Sequence, residues 1–119
     1  RVSGVMFNDQ QSMVSMIDFW RCLVLQVAFV KYNPWENLYQ AEPNDIVKPC
    51  SDLWRRMFVW FDGSVNPCDT DYKSVLSVGK IKENNIKELW HSKAYNDLRS
   101  THLSHQRSQK EPCRRCVVV

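Results

Sequence analysis

The stretch W60-F-D-G-S-V-N-P-C68 combines an aromatic run, a turn signal and a cysteine. Asp62-Gly63 predicts a two-residue hairpin turn, because glycine readily adopts the positive φ that such turns require. The returning strand should be short, covering only residues 64–66, because a proline follows it and cannot donate to a ladder. The hairpin is therefore expected to direct Cys68 back toward Cys50.

The sequence on either side of this hairpin predicts further short elements. Aromatic and β-branched residues favour a strand over 53–61, and a second strand is expected over 75–78, ended by Gly79. Asn85 followed by Glu88 is typical of a capping box at the start of a helix. Ser92 is expected to begin another helix that carries Tyr95, Leu98 and Leu103. Residues 104–111 are polar and are predicted to form a loop.

The first third of the chain predicts a strand, a helix and a second strand. The strands cover 2–7 and 26–32, and Asp9 is a candidate N-cap for the helix between them. The spacing i, i+3, i+4 and i+7 predicts one buried helical face, formed by Met13, Met16, Ile17 and Trp20. This order predicts parallel strands. Two parallel strands do not make a stable sheet alone, so the unit is expected to be the edge of a larger α/β domain.

The composition limits the class of protein. The chain has 119 residues, which allows one domain or part of a larger one, and its hydrophobic fraction of 44% argues against disorder. The net charge is only +3 and the basic residues are scattered, so no nucleic-acid-binding patch is predicted. No apolar run reaches the roughly 18 residues of a membrane span, and no signal peptide is recognisable.

Five cysteines carry the clearest chemical signal in the sequence. In a chain without a secretion signal, such cysteines more often bind metal or do redox chemistry than form disulfides. The spacing favours a shared metal site over separate core residues for Cys50, Cys68, Cys113 and Cys116. It does not separate zinc, whose sites usually show two close pairs, from an iron–sulfur cluster. Cys22 is expected instead to pack in the core as a small hydrophobe or to be partly exposed.

Several other residues are weaker candidates for a functional role. His102 and His105 lie near a helix end in a polar region and are expected to be solvated. Asp69 is predicted to cap a turn, and D69-T-D71 lacks the rest of a calcium loop. Two roles are equally expected for Arg114 and Arg115: a solvated pair in a loop, or cations that lie near a negatively charged cluster. The tryptophans at 54, 60 and 90 are expected in the core.

The cysteine pattern resembles that of a known family. C50-x12-G63-x4-C68 followed by C113-x2-C116 resembles the SPASM/twitch auxiliary-cluster domain at the C-terminus of radical SAM enzymes. The stretches V78-G-K-I-K-E-N-N-I-K-E-L-W90 and L98-R-S-T-H102 also resemble that family, so the resemblance covers about residues 48–117. Residues 1–33 resemble the last strand–helix–strand of the family's partial (β/α)6 barrel.

The resemblance implies an α/β fold followed by an α+β fold. Residues 1–33 would be the end of the parallel partial barrel and 34–49 a linker. Residues 50–119 would form a hairpin and helices around a four-cysteine metal site. The domain appears abbreviated relative to the full family pattern, because only V117-V-V119 follows the last cysteine pair. One [4Fe–4S] cluster is therefore the most that it is expected to ligate fully, through Cys50, Cys68, Cys113 and Cys116.

The functional expectation follows from the same resemblance. The cluster would serve electron transfer or substrate positioning in a cytoplasmic radical SAM enzyme, with Asp69 as the proton acceptor by similarity to the sulfatase-maturing members. S-adenosylmethionine and its own [4Fe–4S] cluster would bind only the parent, since no C-x3-C-x2-C occurs here. The expected partners are the rest of the barrel, a peptide or small-molecule substrate and a low-potential electron donor. The alternative is a structural four-cysteine zinc module without a redox role.

Overall fold

The computed structural model describes residues 1–32 and 35–119. These residues form two compact units, which divide between residues 34 and 35. No helix in the described part of the chain is long and apolar enough to cross a membrane.

The first unit contains two parallel strands and one helix. Strand β1 (Val2–Met6) pairs with β2 (Val27–Lys31), and helix α1 (Met13–Trp20) connects them. The register runs from Val2 opposite Val27 to Met6 opposite Lys31. The parallel pairing is the one predicted from the strand–helix–strand order. The partial barrel to which it was assigned stays a prediction.

Helix α1 differs from its prediction in two respects. Its N-cap is Ser12, whose hydroxyl accepts from the backbone N–H of Ser15, so the expected Asp9 cap is wrong. None of the helix residues is buried, and the predicted inner face remains accessible, with Met13 46% and Ile17 37% exposed. The helical spacing of the apolar residues therefore identified an apolar face of α1, but no described residue of this unit buries that face.

The second unit contains a small antiparallel sheet in the order β3-β4-β5. Strand β3 (Phe58–Val59) pairs with β4 (Ser64–Asn66), and β4 pairs with β5 (Gly79–Lys80). A hairpin forms at the predicted position, but its loop has three residues, 61–63, so the predicted two-residue turn is wrong. The Trp60 N–H donates to the carbonyl of Ser64 at 2.8 Å, and Gly63, at φ +82°, donates its N–H to the carbonyl of Trp60 at 2.9 Å. The return strand has the predicted bounds.

Two of the predicted strands are wrong over most of their length. Residues Ser51–Trp54 form a 3₁₀ helix, and β3 occupies only two residues of the predicted 53–61. Between 71 and 76 the chain turns instead of extending, because the buried carboxylate of Asp71 accepts from the N–H groups of Val75 and Leu76. Gly79 lies within β5 rather than ending a strand, at φ +138°.

The two predicted helices of this unit are confirmed. Helix α2 (Ile86–Trp90) begins with a complete capping box between Asn85 and Glu88, and α3 (Lys93–Leu103) is capped by the Ser92 hydroxyl. Three buried residues form the core: Leu53, Tyr95 and Leu98. Further apolar side chains, which are only partly buried, pack around them. Helix α3 carries Leu103 as predicted, but this side chain is 61% exposed, whereas Tyr95 and Leu98 are buried.

Residues 35–49, predicted to be a linker, lie within the second unit. A 3₁₀ helix spans Trp35–Asn37, and Leu38 is buried. The Tyr39 hydroxyl donates to the Asp71 carboxylate. The backbone N–H of Asn44 donates to the carbonyl of Arg114 at 2.9 Å. This segment therefore contacts the C-terminal tail.

Candidate metal centre

Four of the five cysteines line one small cavity in the second unit, with a volume of about 20 Å³. We call it the thiol cavity. Its wall consists of eleven residues from segments far apart in the chain: Cys50, Leu53, Pro67, Cys68, Thr70, Leu76, His102, Arg107, Pro112, Cys113 and Cys116. All four predicted ligands are therefore brought to one place, whereas Cys22 is exposed in the first unit.

Cys50 enters the cavity at the start of the 3₁₀ helix Ser51–Trp54. Its backbone N–H donates to Nδ1 of His102 at 3.2 Å. This bond joins the loop before the 3₁₀ helix to the last turn of α3. His102 is fully buried, so the prediction that it is solvated is wrong. His105, by contrast, is exposed, as predicted.

Cys68 follows strand β4 directly after a buried proline. Its Sγ lies 2.8 Å from Oγ1 of Thr70, which is itself buried. Further along the loop, the Asp71 carboxylate fixes the backbone of the next turn, as described above. The hairpin turn at Gly63 and the Asp71 turn thus fix the two ends of the segment that carries this thiol.

The last two cavity cysteines are held in the C-terminal tail by Arg107. Arg107 is 1% exposed, and its guanidinium donates to four carbonyl oxygens. The acceptors lie at 2.9–3.2 Å, on residues Lys48, Cys113, Cys116 and Val118. A planar guanidinium suits this task because its five N–H donors point in fixed directions. Arg107 therefore ties the tail to the segment before Cys50.

The cavity is electrostatically unusual for a group of thiols. Burial raises the pKa of the Cys113 thiol to about 12, and repulsion from the Cys68 sulfur adds to the effect. Burial likewise raises the pKa values of Cys50 and Cys68. Burial lowers the pKa of His102 to about 4, and repulsion from Arg107 contributes a smaller part of this effect. At neutral pH the thiols of Cys50, Cys68 and Cys113 are protonated. No carboxylate forms an ion pair with Arg107 within the described chain.

The four thiols line one cavity, but they do not surround a single ion-binding position. Among residues 1–32 and 35–119, no group of three or more Cys, His, Asp or Glu side chains is arranged to hold a metal ion. Tetrahedral zinc, with Zn–S bonds of about 2.3 Å, requires its four sulfurs within about 3.8 Å of one another. A cluster distributes its ligands over several irons, which separates the sulfurs further. The donor set, four cysteines that line one cavity, is one that a cluster can use.

The other candidates lie outside the thiol cavity. Asp69 is exposed and lines a separate, larger cavity of about 460 Å³, together with Trp60 and Tyr72. Arg114 and Arg115 both pair with the carboxylate of Glu111. The arginines between the two tail cysteines are thus engaged locally, while the cavity cation is one that the sequence did not single out.

Sequence reasoning missed the burial of His102 and of Arg107, and only the first of these could have been predicted from the sequence. His102 follows Tyr95 and Leu98 at i+7 and i+4, so helical spacing placed it on the buried face of α3. Arg107 stands in a polar stretch with no apolar periodicity. Its burial depends entirely on the carbonyls that converge on it, and no local signal predicts this.

Comparison with known proteins agrees with the cavity. The model of the SPASM family, described as an iron–sulfur cluster-binding domain, matches residues 50–117. This segment contains all four cavity cysteines and covers more than half of the chain, so the protein belongs to the SPASM family. The resemblance predicted from the cysteine pattern is confirmed. No curated protein and no solved structure matches the chain significantly.

Proposed function

We propose that the thiol cavity holds one auxiliary [4Fe–4S] cluster through Cys50, Cys68, Cys113 and Cys116, and that the cluster serves electron transfer. The observation that carries this proposal is the convergence of four thiols on one cavity inside the segment that matches the family. Four cysteines suffice for full ligation of a [4Fe–4S] cluster. Full ligation leaves no iron free for substrate, which favours electron transfer over substrate binding at the metal.

The surrounding residues suit an anionic group. When bound, such a cluster supplies one-electron transfer at low potential. The raised thiol pKa values mean that loading must displace protons from the cysteines, since only thiolates ligate metal. Arg107 provides a buried positive charge on the cavity wall, and Leu53 and Leu76 limit access of water. A low-dielectric wall and a fixed cation both tune a redox centre.

The first unit is proposed to be the last strand–helix–strand of a radical SAM barrel. Its parallel pairing and the exposed apolar residues of α1 support this, because such faces are normally covered by neighbouring elements. The remainder of the barrel would then bind S-adenosylmethionine and its own cluster. This partner accounts for an amphipathic helix that buries nothing in the described part of its own unit.

Asp69 is proposed to face the substrate. It directly follows a cluster ligand, is exposed, and lines the larger cavity beside aromatic side chains. A peptide or small molecule bound there would lie next to both a carboxylate and the cluster. In that position Asp69 would accept the proton released when substrate is oxidised. In the full enzyme, Asp69→Asn should therefore lower turnover strongly while leaving bound iron unchanged.

The same proposal includes a low-potential electron donor and a cytoplasmic location. Reducing compartments keep cysteines as thiols, which cluster assembly needs. No nucleic-acid or membrane partner is part of the proposal.

Anaerobic reconstitution with iron and sulfide tests the proposal. We expect about four irons and four sulfides per chain. The protein should also absorb at about 400 nm, and dithionite should bleach this absorption. Stoichiometric zinc from an anaerobic preparation, with no iron uptake, would instead establish the structural zinc module. Incubated with S-adenosylmethionine and dithionite, the 119-residue chain should release no 5′-deoxyadenosine. Release well above a protein-free control would show that its cluster performs the cleavage itself.

A further inference from the structure

His102 lies on the wall of the thiol cavity and carries an unused hydrogen-bond donor. Its ring is fully buried and is part of the cavity wall. Nδ1 lies 3.2 Å from the backbone N–H of Cys50 and accepts from it. Nδ1 therefore carries no proton, and the single proton of the neutral ring is on Nε2. Nε2 is buried and has no hydrogen-bond partner among the described residues.

An unpartnered buried donor is costly and uncommon. Leaving such a group unsatisfied destabilises the folded protein, and most buried polar groups in proteins have a partner. The Cys50 N–H fixes the orientation of the ring, so the donor does not turn away to find another acceptor. The cavity side of the ring is where four sulfur ligands converge.

We propose that the Nε2–H group of His102 donates a hydrogen bond to a sulfur atom of the bound cluster and thereby raises its reduction potential. This inference rests on the proposed cluster-binding function. Adding one electron makes the cluster one unit more negative, and a donor at its sulfur stabilises the reduced form more than the oxidised form. The proton remains on Nε2 throughout, so His102 acts as a positioning and tuning residue and not as an acid.

Two substitutions separate the two ring nitrogens. His102→Asn places an amide group near the position of Nδ1, where it accepts from Cys50, but it removes the donor at Nε2. His102→Gln places an amide N–H near the position of Nε2 but loses the contact with Cys50. The Asn variant should therefore lose the redox effect, and the Gln variant should retain it.

The readout is the midpoint potential of the reconstituted full chain, measured by potentiometric titration with optical and EPR detection. In His102→Asn the equilibrium constant for one-electron reduction should fall about tenfold, which corresponds to about 59 mV. His102→Gln should remain within about threefold of the wild type by the same conversion. Equal potentials in the wild type and in His102→Asn, with equal iron content, would overturn the inference and leave cluster binding intact. Failure of the wild type to bind any cluster would overturn both.

A second measurement uses the wild type alone, so it does not depend on how the variants fold. Pulsed EPR on the reduced cluster, with ¹⁵N-labelled histidine, should detect a weak nitrogen coupling and an exchangeable proton that disappears in D₂O. A strong coupling typical of a direct iron–nitrogen bond would make His102 a ligand and overturn the proposal. Absence of both couplings would also overturn it.

Discussion

Arg107 is predicted to hold the C-terminal tail in place even without a cluster. Replacement by methionine preserves most of the side-chain length but removes all donors to the four carbonyls. Two of these acceptors keep another donor: Cys113 O accepts from the N–H of Cys116, and Cys116 O accepts from the Asn44 amide. The carbonyls of Lys48 and Val118 lose the bonds that Arg107 donates at 3.0 Å.

The magnitude follows from these two carbonyls. An acceptor left without a partner costs about 1–3 kcal/mol when it is buried, and less here because Lys48 is exposed and Val118 is only partly buried. Part of that cost is offset because a guanidinium no longer has to be buried away from water. We therefore expect Arg107→Met to lower the free energy of unfolding of the metal-free second unit by about 1–2 kcal/mol. Arg107→Lys should restore little of it, since one ammonium cannot reach carbonyls on opposite sides of a planar fork.

The assay is denaturant unfolding of metal-free protein, followed by amide hydrogen exchange in helix α3 so that only the second unit is monitored. Exchange of residues 113–118 gives the local effect on the tail. Arg114→Met is the matched control: it lies in the same tail, but its partly exposed side chain pairs with Glu111. Such surface pairs contribute about 0–1 kcal/mol. Equal stability of the Arg107→Met and Arg114→Met variants would refute the argument.

The remaining predictions concern the ligands, the buried histidine and the hairpin. Serine at any one cavity cysteine should sharply lower bound iron, whereas Cys22→Ala should retain wild-type iron, and equal loss in both would contradict a shared site. Because burial lowers the pKa of His102 to about 4 from about 6.5 when unfolded, metal-free protein should lose up to about 3 kcal/mol as pH falls through this window. His102→Gln should flatten that pH profile in denaturant titrations. Gly63→Ala should lower the free energy of unfolding by about 1 kcal/mol, because φ is +82° there; a neutral result by thermal melting would exclude conformational strain at the turn.

The sequence by itself determined the features that depend on neighbouring residues. Asp62-Gly63 fixes a turn whatever surrounds it, and the Asn85 and Ser92 caps satisfy N–H groups only a few positions away. The four ligand candidates and the family were also recognisable, because cysteine spacing is a linear pattern. These signals act over short distances, or depend on residue identity alone.

Only the tertiary structure decided which residues are buried against which partners. The aromatic run before the hairpin favoured a strand, but its first two residues, Leu53 and Trp54, belong to the 3₁₀ helix Ser51–Trp54, and Leu53 packs against α3 residues. Arg107 is polar in a polar stretch and is buried because carbonyls from two distant segments converge on it. The free Nε2 of His102 likewise depends on a bond to a residue 52 positions away. Such contacts arise from chain segments meeting in space, and no local propensity encodes them.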